Sequence, residues 1–213
     1  VHLPPVGYLQ ALRSICDAHG ILLIFDEVIT GFGRVGACTA AERFGVTPDI
    51  MTTAKGITNA TVPMGAVFVS DPIFERFMDT EVPGVELNHG YTYSGHPVAC
   101  AAGMATLDIY EQEALFDRPK ALQESWQEHA MGLKGLPNVI DVRCFALLGA
   151  VEVAPRADAP MARGAEIAKR CYEKGAWVRP IGDSIVLSPP LIISESEIAT
   201  IFNIIGEAIS ETA

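Results

Sequence analysis

Two apolar runs, each ending on a charged residue, constrain this chain more than any other feature of its sequence. The first, Ile21-Leu22-Leu23-Ile24-Phe25, has the length and branching of a buried strand and closes on Asp26-Glu27. The second, Ile50-Met51-Thr52-Thr53-Ala54, closes on Lys55. In an open parallel sheet ligands lie beyond the carboxyl ends of the strands, so an acid and an amine placed there face one pocket.

The flanking sequence supplies the rest of an α/β alternation. Tyr8, Leu9, Leu12, Ile15, Cys16 and His19 recur at helical spacing until Gly20. Gly31, Gly33 and Gly36 mark a loop, residues 39–44 form a short helix closed by Gly45 and Pro48, and residues 66–69 form a third strand. Asp71-Pro72 opens a helix, and Pro97 opens a longer one whose Ala99, Ala101, Ala102, Gly103 and Ala105 allow close packing. This alternation argues for βα units and a parallel sheet. A further helix carries Leu115, Leu122, Trp126 and Leu133 on one side. Beyond Pro137 the pattern changes. Strands are expected over residues 139–144 and 147–153, a helix over 162–174, a hairpin through Gly182-Asp183, and a last helix with Ser194 and Glu197 as a capping box. The expected organisation is a sheet domain over residues 1–111 and a smaller α+β domain over 112–213.

Composition excludes several partner classes. With 15 basic against 26 acidic residues the net charge is −11, a field that repels nucleic acid. No apolar run approaches a membrane span. The five cysteines are odd in number, scattered and never in a C-x-x-C pair, which fits reduced, mostly buried thiols of a cytoplasmic protein and no metal site. The chain opens at Val1 in mid-phrase, and the expectation is that it is the carboxyl-terminal part of something longer.

Three chemistries compete for the central stretch. Gly31-Phe32-Gly33-Arg34-Val35-Gly36 matches the dinucleotide fingerprint, yet an acid pair precedes the glycines where a pyrophosphate needs amides, and the following segment is a poor crossover helix. The apolar strand with Asp26-Glu27 also fits a nucleotide triphosphatase, but no G-x-x-x-x-G-K-[ST] string occurs. An acid pair alone usually does no more than end a strand. Lys55 changes that balance: an amine at a strand end in an apolar setting forms a Schiff base with an aldehyde. An aspartate facing it holds a pyridinium nitrogen protonated, and Thr92, close to a helix amino end, can meet a phosphate. Together these describe a site for pyridoxal 5'-phosphate.

The segments LLIFDEVITGFGRVG, DIMTTAKGITN, PMGAVFVS and HGYTYSGHPVACAAG resemble the signature stretches of class III, or omega, aminotransferases of fold type I. GYLQALRSICDAHG and VRPIGDSIVLSPPLII are similar to the omega-amino acid:pyruvate (beta-alanine:pyruvate) subgroup. The resemblance implies the carboxyl-terminal part of a large parallel or mixed-sheet domain followed by a smaller α+β domain. It implies that Asp26 pairs with the pyridine nitrogen, Val28 packs on the ring, Lys55 is the Schiff-base lysine and proton shuttle, and Thr92 contacts the cofactor phosphate of the neighbouring subunit in a homodimer, with dimer or tetramer left open. Arg179 matches a mobile arginine for a substrate carboxylate; judged by its residue type alone it is a surface strand residue in an ion pair. The implied reaction moves an amino group from an omega-amino acid or primary amine to pyruvate. The alternatives are a diamine, 2-oxoglutarate or aminomutase relative, and a non-catalytic fragment. Two departures concern loop shape: Ala60 where T-N-G is usual, and Thr39 where an aromatic is common. His89 and His96 are expected to be structural.

Overall fold

The computed structural model describes residues 1–79, 87 and 89–212. It divides into two compact units, Pro4–Phe116 and Asp117–Ala213, the second joined by Val1–Leu3. The division thus falls a few residues later than the expected 111/112, and the first three residues belong with the later unit. The reason for the second difference is local: Arg143 Nε donates to the Val1 carbonyl at 2.7 Å.

In the amino-terminal unit, α1 (Tyr8–His19) ends at Gly20, whose φ of 62° is the left-handed conformation a glycine adopts without strain. Its inward stripe is Leu9, Leu12, Arg13 and Cys16, one helical face. Gln10 Nε2 reaches the Phe44 carbonyl at 2.7 Å, and Arg13 pairs with Asp49 at 2.7 Å. Asp49 also accepts the Leu23 amide at 2.7 Å, and this bond, followed by Arg13, holds its carboxyl below the usual range. The sheet is short: β1 (Ile24–Asp26) runs parallel to β2 (Ile50–Thr53), and β3 (Ala66–Val69) runs antiparallel to β2. The sheet is therefore mixed rather than parallel, because residues 54–65 hold one 3₁₀ turn, Lys55–Ile57, and no crossover helix. Nor is the first strand buried. Leu22 and Ile24 stay 56% and 57% exposed, since β1 is an edge strand with no helix laid over those residues.

Helix α2 (Ala40–Phe44) is capped by Thr39, whose hydroxyl accepts the Glu42 amide, so the residue that departs from the family pattern starts a helix here. Helix α3 (Asp71–Met78) has its proline in the first turn, as does α4 (Pro97–Gln112). His96 is the N-cap of α4, its Nδ1 accepting the Val98 amide at 3.2 Å. The inward face of α4 is Ala99, Gly103, Thr106 and Tyr110, whereas Ala101 and Ala105 face solvent. A Cβ at Gly103 would meet Met64 Sδ at 3.5 Å and the Ile57 carbonyl at 3.6 Å, so the small-residue stripe seats α4 on the 3₁₀ turn.

The carboxyl-terminal unit is a four-stranded antiparallel sheet with the order β4-β5-β7-β6: β4 (Val139–Phe145), β5 (Leu148–Val153), β6 (Arg179–Ile181) and β7 (Ser184–Leu187). The expected second helix is two pieces, α5 (Arg118–Ala121) and α6 (Gln123–Met131), divided at Leu122; Pro119, which has no N–H to continue a helix from Leu115, sits in the first turn of α5. Trp126 on α6 donates to the Leu148 carbonyl at 3.1 Å and packs edge-on to Phe202 of α8 (Glu195–Ser210), ring centroids 4.9 Å apart. Ser194 and Glu197 form the expected capping box. The Gly182-Asp183 hairpin turns β6 into β7, and Asp183 also accepts the Met161 and Gly164 amides, closing the amino end of α7 (Ala162–Glu173).

All five cysteines are free; Cys16 and Cys171 are buried and Cys144 half-buried, but Cys38 and Cys100 are exposed, so the thiols are not mostly buried. Burial pushes the Cys171 thiol up to about 11. No helix among the described residues is long and apolar enough to cross a membrane, and none of their His, Cys, Asp and Glu groups could hold a metal ion.

Candidate active site around Lys55

Parallel pairing brings the two charged strand ends together. Asp26 stands in register with Thr52, and the Glu27 amide continues the ladder to the Thr52 carbonyl at 2.8 Å. Lys55 follows three residues beyond Thr52, so carboxylate and amine leave adjacent strands at the same edge of the sheet. Both side chains are exposed. The Asp26 carboxylate is oriented from its own loop: Oδ1 accepts the Val28 amide at 3.0 Å, an Asx turn that links two of the candidate residues.

Glu27 has a different task from its neighbour. It is 1% exposed, and its carboxylate accepts the Thr30 hydroxyl and the Ala40 and Ala41 amides, the latter two at 2.9 and 2.7 Å. A buried carboxylate at a helix amino end meets unpaired N–H groups and the positive end of the helix dipole, which compensates its lost hydration. Glu27 therefore ties the strand end to α2 and fixes the loop between them. That loop is the G-x-G-x-x-G segment, and three of its six amides are spent internally: Gly31 donates to Glu27, Phe32 to Cys38 and Gly36 to Gly33. With Gly31, Gly33, Val35, Gly36 and Ala37 buried, the segment is a packed support and not a phosphate cradle.

Lys55 itself sits at φ 46°, left-handed for a residue with a Cβ. Its neighbour Gly56 is pressed against Phe32, whose Cβ would lie 2.7 Å from any Cβ added there, and Tyr110 of α4 donates its hydroxyl to the Gly56 carbonyl at 2.8 Å. Tyr110 stacks on Phe32 at 6.3 Å and leans on Phe116 at 5.0 Å. Sequence reasoning singled out neither Phe32 nor Tyr110; the only local signal was a bulky residue between two glycines. Asn59 and Ala60 continue the left-handed backbone at 49° and 60°, which explains why glycine suits the position Ala60 holds.

Thr92 lies in the turn before α4, where the Ser94 hydroxyl accepts the Tyr91 amide at 3.0 Å. It belongs to the same unit, but no hydrogen bond joins it to Asp26, Val28 or Lys55 among the described residues. Arg179 belongs to the other unit, at the start of β6 opposite Val186, with its side chain exposed and no ion pair among the described residues. The ion pair expected of an ordinary surface arginine is thus absent there. A groove of about 670 Å³ lies between α6 and α8 and includes none of the candidate residues in its lining.

Comparison with known proteins places these features in a family. The profile of the class-III aminotransferases matches residues 1–209. An omega-aminotransferase of Caulobacter vibrioides is 52% identical over 97% of this chain and 48% of its own length. A beta-alanine–pyruvate aminotransferase of Pseudomonas aeruginosa is 48% identical over the whole chain and 48% of its own length. Among solved structures, a thermostable omega transaminase from Pseudomonas jessenii superposes with a TM-score of 0.94 at 33% identity, covering all of this chain and 49% of that one. Another, from an uncultivated Pseudomonas species with 37% identity and a TM-score of 0.92, is an amine transaminase in its pyridoxal-phosphate-bound form. The chain spans about half the length of the curated relatives it matches. It has the fold of the type I transaminases, whose cofactor is pyridoxal phosphate, and it belongs to the class III aminotransferase family.

Proposed function

We propose that the site built around Lys55 serves transamination between an omega-amino acid or primary amine and pyruvate, giving a carbonyl product and alanine. The observation that carries this reading is the placement of Asp26 and Lys55 at neighbouring ends of parallel strands, in register through Thr52. The residues present fit pyridoxal phosphate: an accessible amine, a carboxylate pre-oriented by an amide, and a hydroxyl in a turn at a helix start. When bound, the cofactor supplies an electron sink for the carbon that loses its proton.

The chain's own residues have separable tasks. Asp26 holds a proton on the ring nitrogen, a charge-assisted hydrogen bond for which its fixed carboxylate is suited. Val28, half-buried beside it, offers an apolar contact for the ring. Lys55 Nζ would be the amine that holds the cofactor through its carbonyl carbon and, when free, the base that moves a proton from the substrate carbon. Thr92 serves the phosphate of a second subunit, in a homodimer with shared sites. Arg179, exposed and without an ion pair among the described residues, binds the carboxylate of pyruvate through two parallel N–H donors. The family relative named for beta-alanine and pyruvate supports that acceptor, and five free cysteines support a reducing cytoplasmic setting.

The test is covalent. The chain is incubated with pyridoxal phosphate, reduced with borohydride and mapped by peptide mass. Label concentrated on Lys55, and lost in Lys55→Ala, is the expected result; label scattered over the lysines overturns the assignment. In an active protein carrying this sequence, Arg179→Ala should raise KM for pyruvate by about 10- to 100-fold, the loss of one or two charge-assisted hydrogen bonds, with little change for an amine lacking a carboxylate.

A further inference from the structure

We infer that Tyr110 is a positioning residue for Lys55, acting through the Gly56 peptide; the inference rests on the reading of Lys55 as the reactive amine. Three observations converge on one backbone segment. Lys55 holds a left-handed conformation that a side-chain-bearing residue keeps only when its surroundings impose it. Gly56 has no room for a Cβ, because Phe32 occupies that space from the glycine loop. The Tyr110 hydroxyl, from a residue 54 positions away, donates to the Gly56 carbonyl at 2.8 Å.

The two aromatic rings stack on each other and both meet Gly56, one by contact and one by a hydrogen bond. Phe32 comes from the loop whose base is the Gly31 amide bonded to the Glu27 carbonyl, so it is tied to the strand end that bears Asp26. Tyr110 comes from α4, is 8% exposed, and its ring lies nearly parallel to Phe32, at 20° between planes. Burial pushes the Tyr110 phenol up from its ordinary value, so the hydroxyl stays a donor through the neutral range. The hydrogen bond fixes the plane of the Gly56–Ile57 peptide, and with it the 3₁₀ turn Lys55–Ile57 from which the Lys55 side chain leaves. The direction of the amine relative to Asp26 is thereby set from a helix that carries neither group.

The experiment measures Lys55 selectively. For wild type, Tyr110→Phe and Phe116→Leu, the full chain is exposed briefly to pyridoxal phosphate, reduced with borohydride, and the label on Lys55 divided by that on Lys120. Lys120 lies in the other unit, so the far-ultraviolet dichroism of each variant is matched to wild type under the labelling conditions, and the ratio then reports position. The same ratio is read with acetic anhydride across pH, which follows the Lys55 amine without the cofactor. Tyr110→Phe should lower the pyridoxal ratio about tenfold, the factor one net hydrogen bond represents. Phe116→Leu, which loosens the Tyr110 ring but keeps its hydroxyl bond, should leave it within about twofold. An unchanged ratio in Tyr110→Phe, or an equal fall in both variants, overturns the positioning role. A wild-type ratio near one removes the reactive-amine reading as well, and that failure is visible before any variant is made.

Discussion

The two units bury their apolar residues in different places. In the carboxyl-terminal unit Leu147, Ile167, Ile185, Ile198 and Ile205 have no exposure at all, because α6 and α7 lie against one antiparallel sheet and α8 packs on both helices. In the amino-terminal unit the sheet is largely bare, with Ile24 at 57% and Val67 at 65% exposed, and the buried residues instead gather where loop, turn and helix meet: Val35, Ala37, Ile57, Ala99 and Tyr110. One unit is ordered by sheet against helix. The other is ordered by a glycine loop and a helix closing on the turn that carries Lys55. The difference teaches that, in this chain, the geometry of the candidate site depends on its immediate supports more than on a covered sheet.

Stability measurements can break that comparison. Both tryptophans, Trp126 and Trp177, lie in the carboxyl-terminal unit, so their fluorescence follows that unit while far-ultraviolet circular dichroism follows both. In urea the dichroism change should begin at lower denaturant than the fluorescence change. Coincident transitions would show that the two cores unfold as one. The largest single effect is expected from Ile198→Ala, which empties a fully buried site and should cost about 2–5 kcal/mol by the fluorescence transition. The matching Ile24→Ala on the bare strand should cost under about 1 kcal/mol.

Glycines sharpen the contrast at the next level. A Cβ at Gly164 would lie 2.3 Å from the Gly182 carbonyl, backbone that cannot move aside, so Gly164→Ala should cost about 1–3 kcal/mol. At Gly103, also in a helix, the nearest neighbour of an added Cβ is the flexible Met64 sulfur at 3.5 Å. Gly103→Ala should instead gain about 0.5–1 kcal/mol through helix propensity. Opposite signs in thermal melts are the expected outcome.

Charge separates the units more weakly. Arg143 holds Asp141 below the usual carboxylate range, Arg170 and then Arg156 do so for Glu166, Lys174 does so for Glu211, and the Ser194 amide does so for Glu197. In the amino-terminal unit Asp49 is held low. A carboxyl whose folded pKa is depressed stabilises above its unfolded pKa, and that contribution disappears as pH falls through the folded value. Acidification below about pH 4 should therefore lower the fluorescence midpoint more than the early dichroism phase, and 1 M salt should reduce the gap because these pairs face solvent. The smallest effect is expected at Ala60: Ala60→Gly relieves a left-handed alanine at 60° and should gain about 0.5–1 kcal/mol in the dichroism phase, net of the added freedom of the unfolded chain.

What the sequence disclosed, and what it hid, follows from the range of the interactions. The capping box at Ser194, the stop at Gly20, the start at Pro97 and the Gly182-Asp183 hairpin depend on neighbours within a few residues, and all were legible. Pro119 was an available signal for a helix start at Arg118, and it was outweighed by the apolar stripe running past it from Leu115. The antiparallel setting of β3 was also readable from the lack of a helix in residues 54–65. The exposure of β1 was not, since an apolar run records an affinity for cover and says nothing of which chain provides it. Asp26 and Lys55 could be named because each ends a run. Their supports could not: Phe32, Gly56 and Tyr110 are brought together only by the fold, and no spacing in the sequence announces them.

The hold of Arg143 on the Val1 carbonyl has a consequence for the order of events in folding. The two residues are 142 positions apart, and closing so long a loop is entropically costly. The segment from Pro4 to Phe116 lies between them and has contacts of its own, so its condensation shortens the loop that must close. Residues 1–3 are therefore a clasp on β4 that becomes affordable once the chain between them has condensed.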